Sequence, residues 1–343
     1  MTNLVPITGI PGAVTETSEI YCPASIQIGN ATMRNWSKVP EGSINVKRAL
    51  ARSCNPWFYQ VGIDIGPTAF LDLARRLGMG STSGLPLLGE DPGLVPTDQY
   101  MLAREKRRIL DGDTANMSIG QGALGASPLQ VAQAMAGIAN GGALPKLQLI
   151  RQIQDTRGRV IQAASPTQRT KLPVDPTAVE IVREGMRDVV NAAYGTGQRG
   201  GLSYTTLCGK TGTAQWKISK DQRLAWFAGF LPFDNPRYSF AVLYEGSPGE
   251  VVSGGRMAAP MVRAFFEPLK DDIKDIIAPP QKALVVVDES ETPESHPEVN
   301  PDGTLAKPPQ RALPVEEVPA NRGKEETMPP PRALPIDEDE IVE

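Results

Sequence analysis

The sequence predicts a mixed α/β protein of the α+β kind, in which an antiparallel sheet is flanked by helices. Three β-prone segments follow one another in the second half of the chain, at residues 207–216, 224–231 and 238–244. An Asp-Asn-Pro turn lies between the last two, as in a hairpin. Amphipathic segments at residues 176–193 and 256–266 have the apolar spacing of helices that cover one face of a sheet.

The first half of the chain predicts helices joined by short turns. Ser43 is placed to cap a helix, because its hydroxyl can accept a hydrogen bond from a free backbone N–H of the first turn. Pro56 disfavours the helical conformation of the residue before it, so a break in the helical region is predicted just before Pro56. Gly78 is placed to end a later helix, and Ser127 followed by Pro128 is a good helix start. Helices are predicted at residues 44–52, 58–61, 68–77, 100–109 and 128–140, and a hairpin at residues 147–161.

Charge and composition divide the chain into a folded body and a tail. Of the 343 residues 40% are hydrophobic, which is enough for a substantial core. Residues 279–343 contain fifteen Asp/Glu, six Lys/Arg, thirteen of the 32 prolines and no Phe, Trp or Tyr. We therefore expect residues 1–270 to form one domain and residues 271–343 to be a linker and a disordered acidic tail. The body has no basic stripe, so nucleic acid is not an expected partner.

The scarcity of cysteine and histidine excludes several kinds of site. The three cysteines, Cys22, Cys54 and Cys208, are odd in number and far apart, so no disulfide framework and no metal-ligand pair is predicted. We expect them to be small buried side chains. The single histidine, His296, lies in the proline-rich tail. A Ser-His-Asp or Cys-His catalytic site and a His-ligated zinc site are therefore excluded, and lysine or a carboxylate would have to move protons.

Two glycine-rich segments match nucleotide-binding motifs without the context that those motifs need. Residues 195–200 read Gly-X-Gly-X-X-Gly, but a predicted helix precedes them where the fingerprint requires a strand. The Gly209-Lys210 pair lacks the glycine five positions earlier that a phosphate loop requires. We expect no nucleotide, cofactor or metal. The sequence also shows no signal peptide and no apolar run long enough to span a membrane.

The predicted strand at residues 208–215 carries the most informative polar residues. Lys210, Thr211 and Thr213 present a cation and two hydroxyls along it. Gly212 has no side chain, so a ligand or another backbone can approach the strand closely at that position. The pattern predicts a cradle that binds a carboxylate or an oxyanion.

A second polar group lies in the predicted turn Ser53-Cys54-Asn55. Short polar side chains at alternate positions of such a turn can point into one cleft. The same residues can equally serve as helix caps. The residues alone leave both interpretations open.

Four sequence blocks resemble the transpeptidase domain of penicillin-binding proteins. Their order and spacing are most similar to the class B enzymes, especially the elongation-type penicillin-binding protein 2, over about residues 1–268. The resemblance implies a β-lactamase/D,D-peptidase-like fold, with an antiparallel sheet flanked by helices and an all-helical lobe across a cleft. The blocks are Ser53-Cys54-Asn55, Lys210-Thr211-Gly212-Thr213, Ser118-Ile-Gly-Gln-Gly with Ser127-Pro-Leu-Gln, and Ala225-Trp-Phe-Ala-Gly-Phe.

The resemblance also implies an activity and a cellular context. The activity is peptidoglycan D,D-transpeptidation, which cross-links stem peptides ending in D-Ala-D-Ala through a serine acyl-enzyme, and β-lactams are inhibitory mimics of that substrate. The implied partners are the cell-wall elongation machinery. The implied location is the periplasmic face of the cytoplasmic membrane, through an N-terminal anchor that this sequence does not contain.

Roles for five side chains follow from the same resemblance. Ser53 would relay a proton to the leaving amine, and Asn55 would hydrogen-bond the substrate amide. Lys210 would keep the cleft positive and tune Ser53. The hydroxyls of Thr211 and Thr213 would receive the terminal carboxylate, and the N–H of Thr213 would be one oxyanion donor.

One departure from the family pattern affects catalysis directly. The sequence contains no Ser-X-X-Lys, the motif that supplies the family's nucleophile and its base. Ser43 misses the pattern by one residue, because its lysine is Lys47, and the one Thr-X-X-Lys, Thr304 to Lys307, lies in the tail. We expect the chain as given to be inactive, because covalent catalysis cannot start without a nucleophile.

Three hypotheses account for this departure. In the first, which the intact polar residues favour, Met1 is an internal methionine and the upstream coding DNA reads on through Ser-X-X-Lys, a pedestal domain and a transmembrane helix. In the second, the chain is a catalytically dead paralogue. In the third, it is a scaffold or adaptor whose tail repeats, Arg311-Ala-Leu-Pro and Arg332-Ala-Leu-Pro, bind a partner rather than forming a simple spacer.

Overall fold

A computed structural model describes residues 14–278 of this chain. All of them belong to one compact unit. The first residues of the predicted linker are helical, since Lys270–Ile277 form a helix in which Ile273 is buried. The rest of the predicted tail, residues 279–343 with the repeats and the histidine, lies outside the described residues.

Short strand pairs and helices make up the first part of the described chain. A sheet of three longer strands and two final helices follow. The strands are β1 (Ile20–Cys22), β2 (Ser25–Ile28), β3 (Ala31–Arg34), β4 (Gly42–Ile44), β5 (Ala143–Pro145), β6 (Gln152–Gln154), β7 (Val160–Ala163), β8 (Gln168–Lys171), β9 (Cys208–Gln215), β10 (Arg223–Leu231) and β11 (Tyr238–Glu245). The helices are α1 (Val46–Arg52), α2 (Asn55–Ile65), α3 (Pro67–Arg76), α4 (Asp98–Glu105), α5 (Asp111–Ser118), α6 (Pro128–Ala139), α7 (Pro176–Asn191), α8 (Ala258–Phe266) and α9 (Lys270–Ile277).

The main sheet is antiparallel, as predicted, with the order β11-β10-β9 in the described part of the chain. The central strand β10 is buried over almost its whole length, because it has a neighbour on each side and helices on both faces. Phe227 lies opposite Thr211 of β9 and Val242 of β11, which sets the register. β9, the strand that carries the predicted cradle, is therefore at the edge of the sheet.

The two faces of the sheet pack into different apolar clusters. Trp226, Ala228 and Phe230 of β10 belong to a core built mainly with α1, α2, α6 and α7. Phe227 belongs to a second core with α8 and α9. This alternation follows from the two-residue period of a strand. It places Lys210, the cross-strand neighbour of Ala228, on the face that packs against the first core.

The helices around the predicted turn begin and end differently from the sequence prediction. α1 begins after Asn45, whose side chain accepts from the N–H of Arg48 at 3.0 Å. The expected cap, Ser43, is instead in β4, where it pairs with Tyr21 of β1. The prediction was wrong because Asn45 caps as well as a serine does, and the sequence does not show that β1 is available to pair.

The prediction that the cysteines form no disulfide was also wrong. Cys22 and Cys54 are bonded to each other, with their Cα atoms 6.6 Å apart. The pairing of β1 with β4 carries Cys22 next to the turn between α1 and α2, a proximity that spacing along the chain does not reveal. All three cysteines are buried as expected. Burial raises the pKa of the free Cys208 thiol to about 12, so it is not a reactive thiol.

Two helices of the helical region show what sequence patterns can and cannot predict. α6 is confirmed: Ser127 accepts from the N–H of Gln130 and the Gln130 side chain accepts from Ser127 N–H, which is a capping box. α5 was missed, because its apolar spacing is weak. Its first turn is held instead by Asp113, which accepts from Leu110 N–H at 2.9 Å and from the Arg107 guanidinium.

The disulfide gives a testable stability prediction. Replacing Cys22 and Cys54 together with alanine is expected to lower the free energy of unfolding by about 3 to 4 kcal/mol, because the bond joins residues 32 apart and restricts the unfolded chain. Urea unfolding followed by circular dichroism measures the change. Reductant should lower the midpoint of the unaltered protein and leave that of the double variant unchanged; equal midpoints for the oxidised protein and the variant would contradict the prediction.

Candidate active site

Lys210 is the centre of the site that the structure assembles. Its side chain is 3% exposed. Its Nζ donates to Ser53 Oγ and to the carbonyl oxygen of Thr211, both at 2.8 Å. Burial disfavours the charged form and lowers the pKa of Lys210 to about 7. The amine can therefore gain or lose a proton near neutral pH.

Ser53 is presented to this lysine by the turn between α1 and α2. It adopts the left-handed conformation, with φ of 52°, and its N–H donates to Leu50 O at 3.1 Å. The next residue, Cys54, donates its N–H to Ala49 O and is bonded to β1 through its sulfur. Ser53 thus ends α1 through its backbone N–H and also lines the cavity, whereas Asn55 is the first residue of α2 and caps neither helix.

Asn55 is held at the start of α2 by a buried neighbour. Its N–H donates to the side-chain oxygen of Asn35 at 3.2 Å, and Asn35 is 8% exposed. Tyr59, one turn further along α2, lies close enough to hydrogen-bond Asn55, although burial dominates and raises the pKa of the Tyr59 phenol to about 12. The backbone of Asn55 is therefore held by Asn35, and its side chain lines the cavity beside Ser53.

The hydroxyls of β9 are tied to two loops that close over the strand. Thr211 Oγ1 lies 2.7 Å from Thr196 Oγ1, and Thr213 Oγ1 accepts from Gly254 N–H at 3.4 Å. A Cβ at Gly254 would lie 2.7 Å from the carbonyl oxygen of Gly212, so only glycine fits there. The loop that contains Gly254 consequently covers the backbone of Gly212.

The turn, the strand and the two loops line one cavity of about 490 Å³, through Ser53, Asn55, Thr196, Thr211, Gly212, Thr213 and Gly254. Three arginines join them in the lining, Arg52, Arg199 and Arg256, and no Asp or Glu does. Arg52 is paired with Glu41 at 2.6 Å. Arg199 and Arg256 are exposed, and neither makes a side-chain hydrogen bond or ion pair with a residue in the 14–278 range. A cavity with this lining favours an anionic ligand.

All six residues predicted for the site lie together in the structure. The lining contains Ser53, Asn55, Thr211, Gly212 and Thr213, and Lys210 lies directly beneath through its contact with Ser53. Sequence patterns missed the contribution of the two loops. The segment at residues 195–200, where no nucleotide site was expected, supplies Thr196 and Arg199 to the lining, and the segment at residues 253–256 supplies Gly254 and Arg256.

Other kinds of site find no support in the described residues. No group of three or more His, Cys, Asp or Glu side chains within residues 14–278 is arranged to hold a metal ion. None of the helices in the same range has the length and apolar character that crossing a bilayer requires.

The buried lysine makes stability depend on pH. Between about pH 7 and 10.5 the unfolded chain keeps the Lys210 proton and the folded protein does not, so the free energy of unfolding rises with pH in that window. Below pH 7 both states carry the proton, and the cost of burying the charge is present in full. Lys210→Met is expected to remove this rise.

Urea titrations at several values from about pH 6.5 to 9.5 measure the effect. Lys171→Met is the matched control, because Lys171 is exposed in β8 and its removal should keep the rise seen in the unaltered protein. Equal slopes in all three proteins would contradict the lowered pKa of Lys210.

Comparison with known proteins shows the family. Residues 11–267 match the penicillin binding protein transpeptidase domain. The chain is 30% identical over 272 residues to the peptidoglycan D,D-transpeptidase MrdA of Haemophilus influenzae, an alignment that covers 74% of this chain and 41% of that protein. The chain thus spans about two fifths of the length of the curated relatives it matches.

Solved structures agree with the fold. Penicillin-binding protein 2 of Pseudomonas aeruginosa, in complex with WCK 5153, superimposes with a TM-score of 0.62 at 30% identity, over 75% of this chain and 55% of that one. The complex between penicillin-binding protein 2 and MreC of Helicobacter pylori superimposes with a TM-score of 0.61 at 27% identity, over 77% of this chain and 46% of that one. The chain has the mixed α/β transpeptidase fold, and it belongs to the penicillin-binding protein transpeptidase family, related to class B penicillin-binding protein 2/MrdA.

Proposed function

We propose that the cavity around Ser53 is part of a peptidoglycan D,D-transpeptidase site and binds the D-Ala-D-Ala end of a stem peptide. The observation that carries the proposal is the 2.8 Å hydrogen bond between Lys210 Nζ and Ser53 Oγ at the floor of a cavity with no acidic lining. The lysine can hold a proton near neutral pH, and the serine lies where that proton can be passed on. Family membership supports this use of the pair.

The substrate's terminal carboxylate would bind at the cationic side of the cavity. The hydroxyls of Thr211 and Thr213 donate to it, and the exposed guanidinium groups of Arg199 and Arg256 attract it. Asn55 hydrogen-bonds the substrate's amide. The N–H of Thr213 donates to the oxygen on which negative charge develops, a type of contact that contributes about 3 kcal/mol in other acyl transferases.

The complete reaction needs a nucleophile in addition to these groups. In the proposed cycle a serine attacks the carbonyl carbon of the penultimate D-Ala, the bond to the last D-Ala breaks, and its amine leaves with a proton relayed through Ser53. The acceptor amine of a second stem peptide then takes the acyl group. The sequence contains no Ser-X-X-Lys, so we propose that this chain binds substrate and β-lactams without forming the acyl-enzyme by itself.

We also propose that the chain acts with the cell-wall elongation machinery at the periplasmic face of the cytoplasmic membrane. The proposal is supported by the similarity to MrdA and to a penicillin-binding protein 2 that was solved in complex with MreC. Any membrane anchor would come from residues beyond the described range.

A second candidate function is a scaffold or adaptor that binds partners and no longer cross-links peptides. The observation that favours it is again the missing Ser-X-X-Lys. The two candidates differ in the cavity: a scaffold does not need to bind D-Ala-D-Ala, whereas a transpeptidase site does.

The missing nucleophile predicts the outcome of covalent labelling. The purified chain, incubated with a fluorescent penicillin and run on a denaturing gel, is expected to show no fluorescent band, because no serine with a lysine base is available to be acylated. An intact penicillin-binding protein in the same reaction is the positive control. A labelled band that survives denaturation would overturn the assignment of the nucleophile to another segment.

Reversible binding tests the cavity itself. N-acetyl-D-Ala-D-Ala, followed by NMR titration, is expected to bind more weakly by roughly tenfold or more when Thr211 is changed to valine, because a hydrogen bond to a carboxylate is lost. Thr167→Val is the matched control at an exposed position. Affinity should also fall as the pH rises through about 7, where Lys210 loses its charge. Absence of binding to the unaltered chain would favour the scaffold.

A further inference from the structure

A long hairpin at residues 143–171 projects from the helical part of the fold. Its base is fixed: Leu144 of β5 is fully buried opposite Thr170 of β8, and the Arg169 guanidinium donates to Thr82 O at 2.8 Å. Its outer part, which consists of β6, β7 and the turn between them, differs from the base, because every residue of the two strands is exposed. The hairpin is therefore anchored at one end and open to solvent at the other.

Five large aliphatic residues lie on this outer part, and each of them is 46% to 69% exposed. An isolated two-stranded hairpin is only marginally stable in water, and contiguous exposed apolar groups mark interaction sites. Each of β6 and β7 also has one edge without a neighbouring strand among the described residues. The outer part thus offers a partner both apolar side chains and open strand edges. The five residues are Leu149, Ile150, Ile153, Val160 and Ile161.

The hairpin is strongly basic. Residues 143–171 contain six Lys/Arg and a single acidic residue, Asp155. That carboxylate is committed to the turn, where it accepts from the N–H groups of Arg157 and Arg159 at 2.9 Å and from Arg159 Nε at 2.7 Å. Arg151 and Arg157 are exposed, and neither forms an ion pair within the described part of the chain. The positive charge of the outer part is therefore available to a partner.

Charge and strand geometry together select the kind of partner. A second copy of the hairpin would bring two basic surfaces together, which costs free energy. An anionic lipid surface would attract the arginines, but the hydrocarbon that would receive the aliphatic side chains has no groups that pair with an open strand edge. An extended acidic protein segment meets all three features, because it can add a strand, cover aliphatic side chains and neutralise the arginines.

We propose that the outer part of this hairpin, residues 148–164, is a docking site for an acidic, β-prone segment of another protein. The segment pairs with an open edge of β6 or β7 and covers the exposed aliphatic side chains. The site does not depend on the function proposed for the cavity around Ser53. Docking at the hairpin leaves that cavity free, since the hairpin supplies none of its lining residues.

The experiment uses the full chain, labelled with nitrogen-15, and the synthetic probe acetyl-Glu-Val-Glu-Val-Glu-Val-amide. The probe is expected to shift amide signals within residues 148–164, and the same peptide with lysine in place of glutamate is expected not to bind. Ile161→Ser should lower the affinity for the acidic probe roughly fivefold or more, because apolar contact is lost. Arg151→Gln should lower it roughly two- to threefold and weaken its dependence on salt.

Val39→Ser and Arg104→Gln are the matched controls. Val39 is 70% exposed and the Arg104 side chain is exposed on α4, and both lie outside the hairpin. The two controls should bind the acidic probe as the unaltered chain does. All four variants change exposed side chains, so the fold should be kept, and unchanged far-ultraviolet circular dichroism checks this. Binding of N-acetyl-D-Ala-D-Ala should be the same in all four, because none of them lines the cavity around Ser53.

Vesicles of phosphatidylglycerol and sedimentation equilibrium test the other two partners. The proposal is overturned if the acidic probe does not bind, if the lysine peptide binds equally well, or if the shifts lie outside residues 148–164. Vesicle binding through these residues without binding of the probe would assign the site to a lipid surface instead. Self-association that Ile161→Ser abolishes, again without binding of the probe, would assign it to a second copy. Shifts within residues 148–164 that both hairpin variants weaken, and neither control does, support the proposal.

Discussion

The burial of the Lys210 amine against Ser53 is the constraint on which the rest of the site depends. A buried amine loses its hydration, and the lowered pKa of about 7 reports that loss. The hydrogen bonds to Ser53 Oγ and Thr211 O replace part of it. The bond to Ser53 exists only while the turn at Ser53 and strand β9 are held together, and these are 157 residues apart in sequence.

The elements around the lysine can be understood as supports for that contact. α1 packs on α7, and α7 packs on β9, so the helix that carries Ser53 is joined to the strand that carries Lys210 through one intermediate. The Cys22–Cys54 bond fixes the turn from the other side. The loops that carry Thr196 and Gly254 contact the hydroxyls of Thr211 and Thr213 on the same strand. Proton transfer requires an amine whose pKa is near neutral pH and a hydroxyl held in place beside it.

The position of β9 at the sheet edge leaves one side of the strand for contacts other than strand pairing. Its inner side is paired with β10 over the whole strand. Its outer side keeps main-chain groups available, and side chains satisfy them: Lys210 bonds Thr211 O, and Gln121 bonds Thr213 O and Gln215 N–H. Unpaired edges invite non-specific association. Covering the edge with side chains protects it from such association.

Local patterns were enough to predict the elements whose residues interact with near neighbours. The strands β9, β10 and β11 follow from β-prone residues and a turn, and α6 follows from the capping box at Ser127. The family pattern in the sequence also pointed to six residues that the structure brings together, five of which line the cavity while Lys210 lies beneath it. The same sequence determined a limit, since it contains no Ser-X-X-Lys. Only the tertiary structure decided that Cys22 bonds Cys54, that Thr196 and Arg256 join the site, and that Gln121 covers the edge of β9. Each of these contacts joins segments at least 15 residues apart, and spacing along the chain carries no record of which distant segments fold against each other.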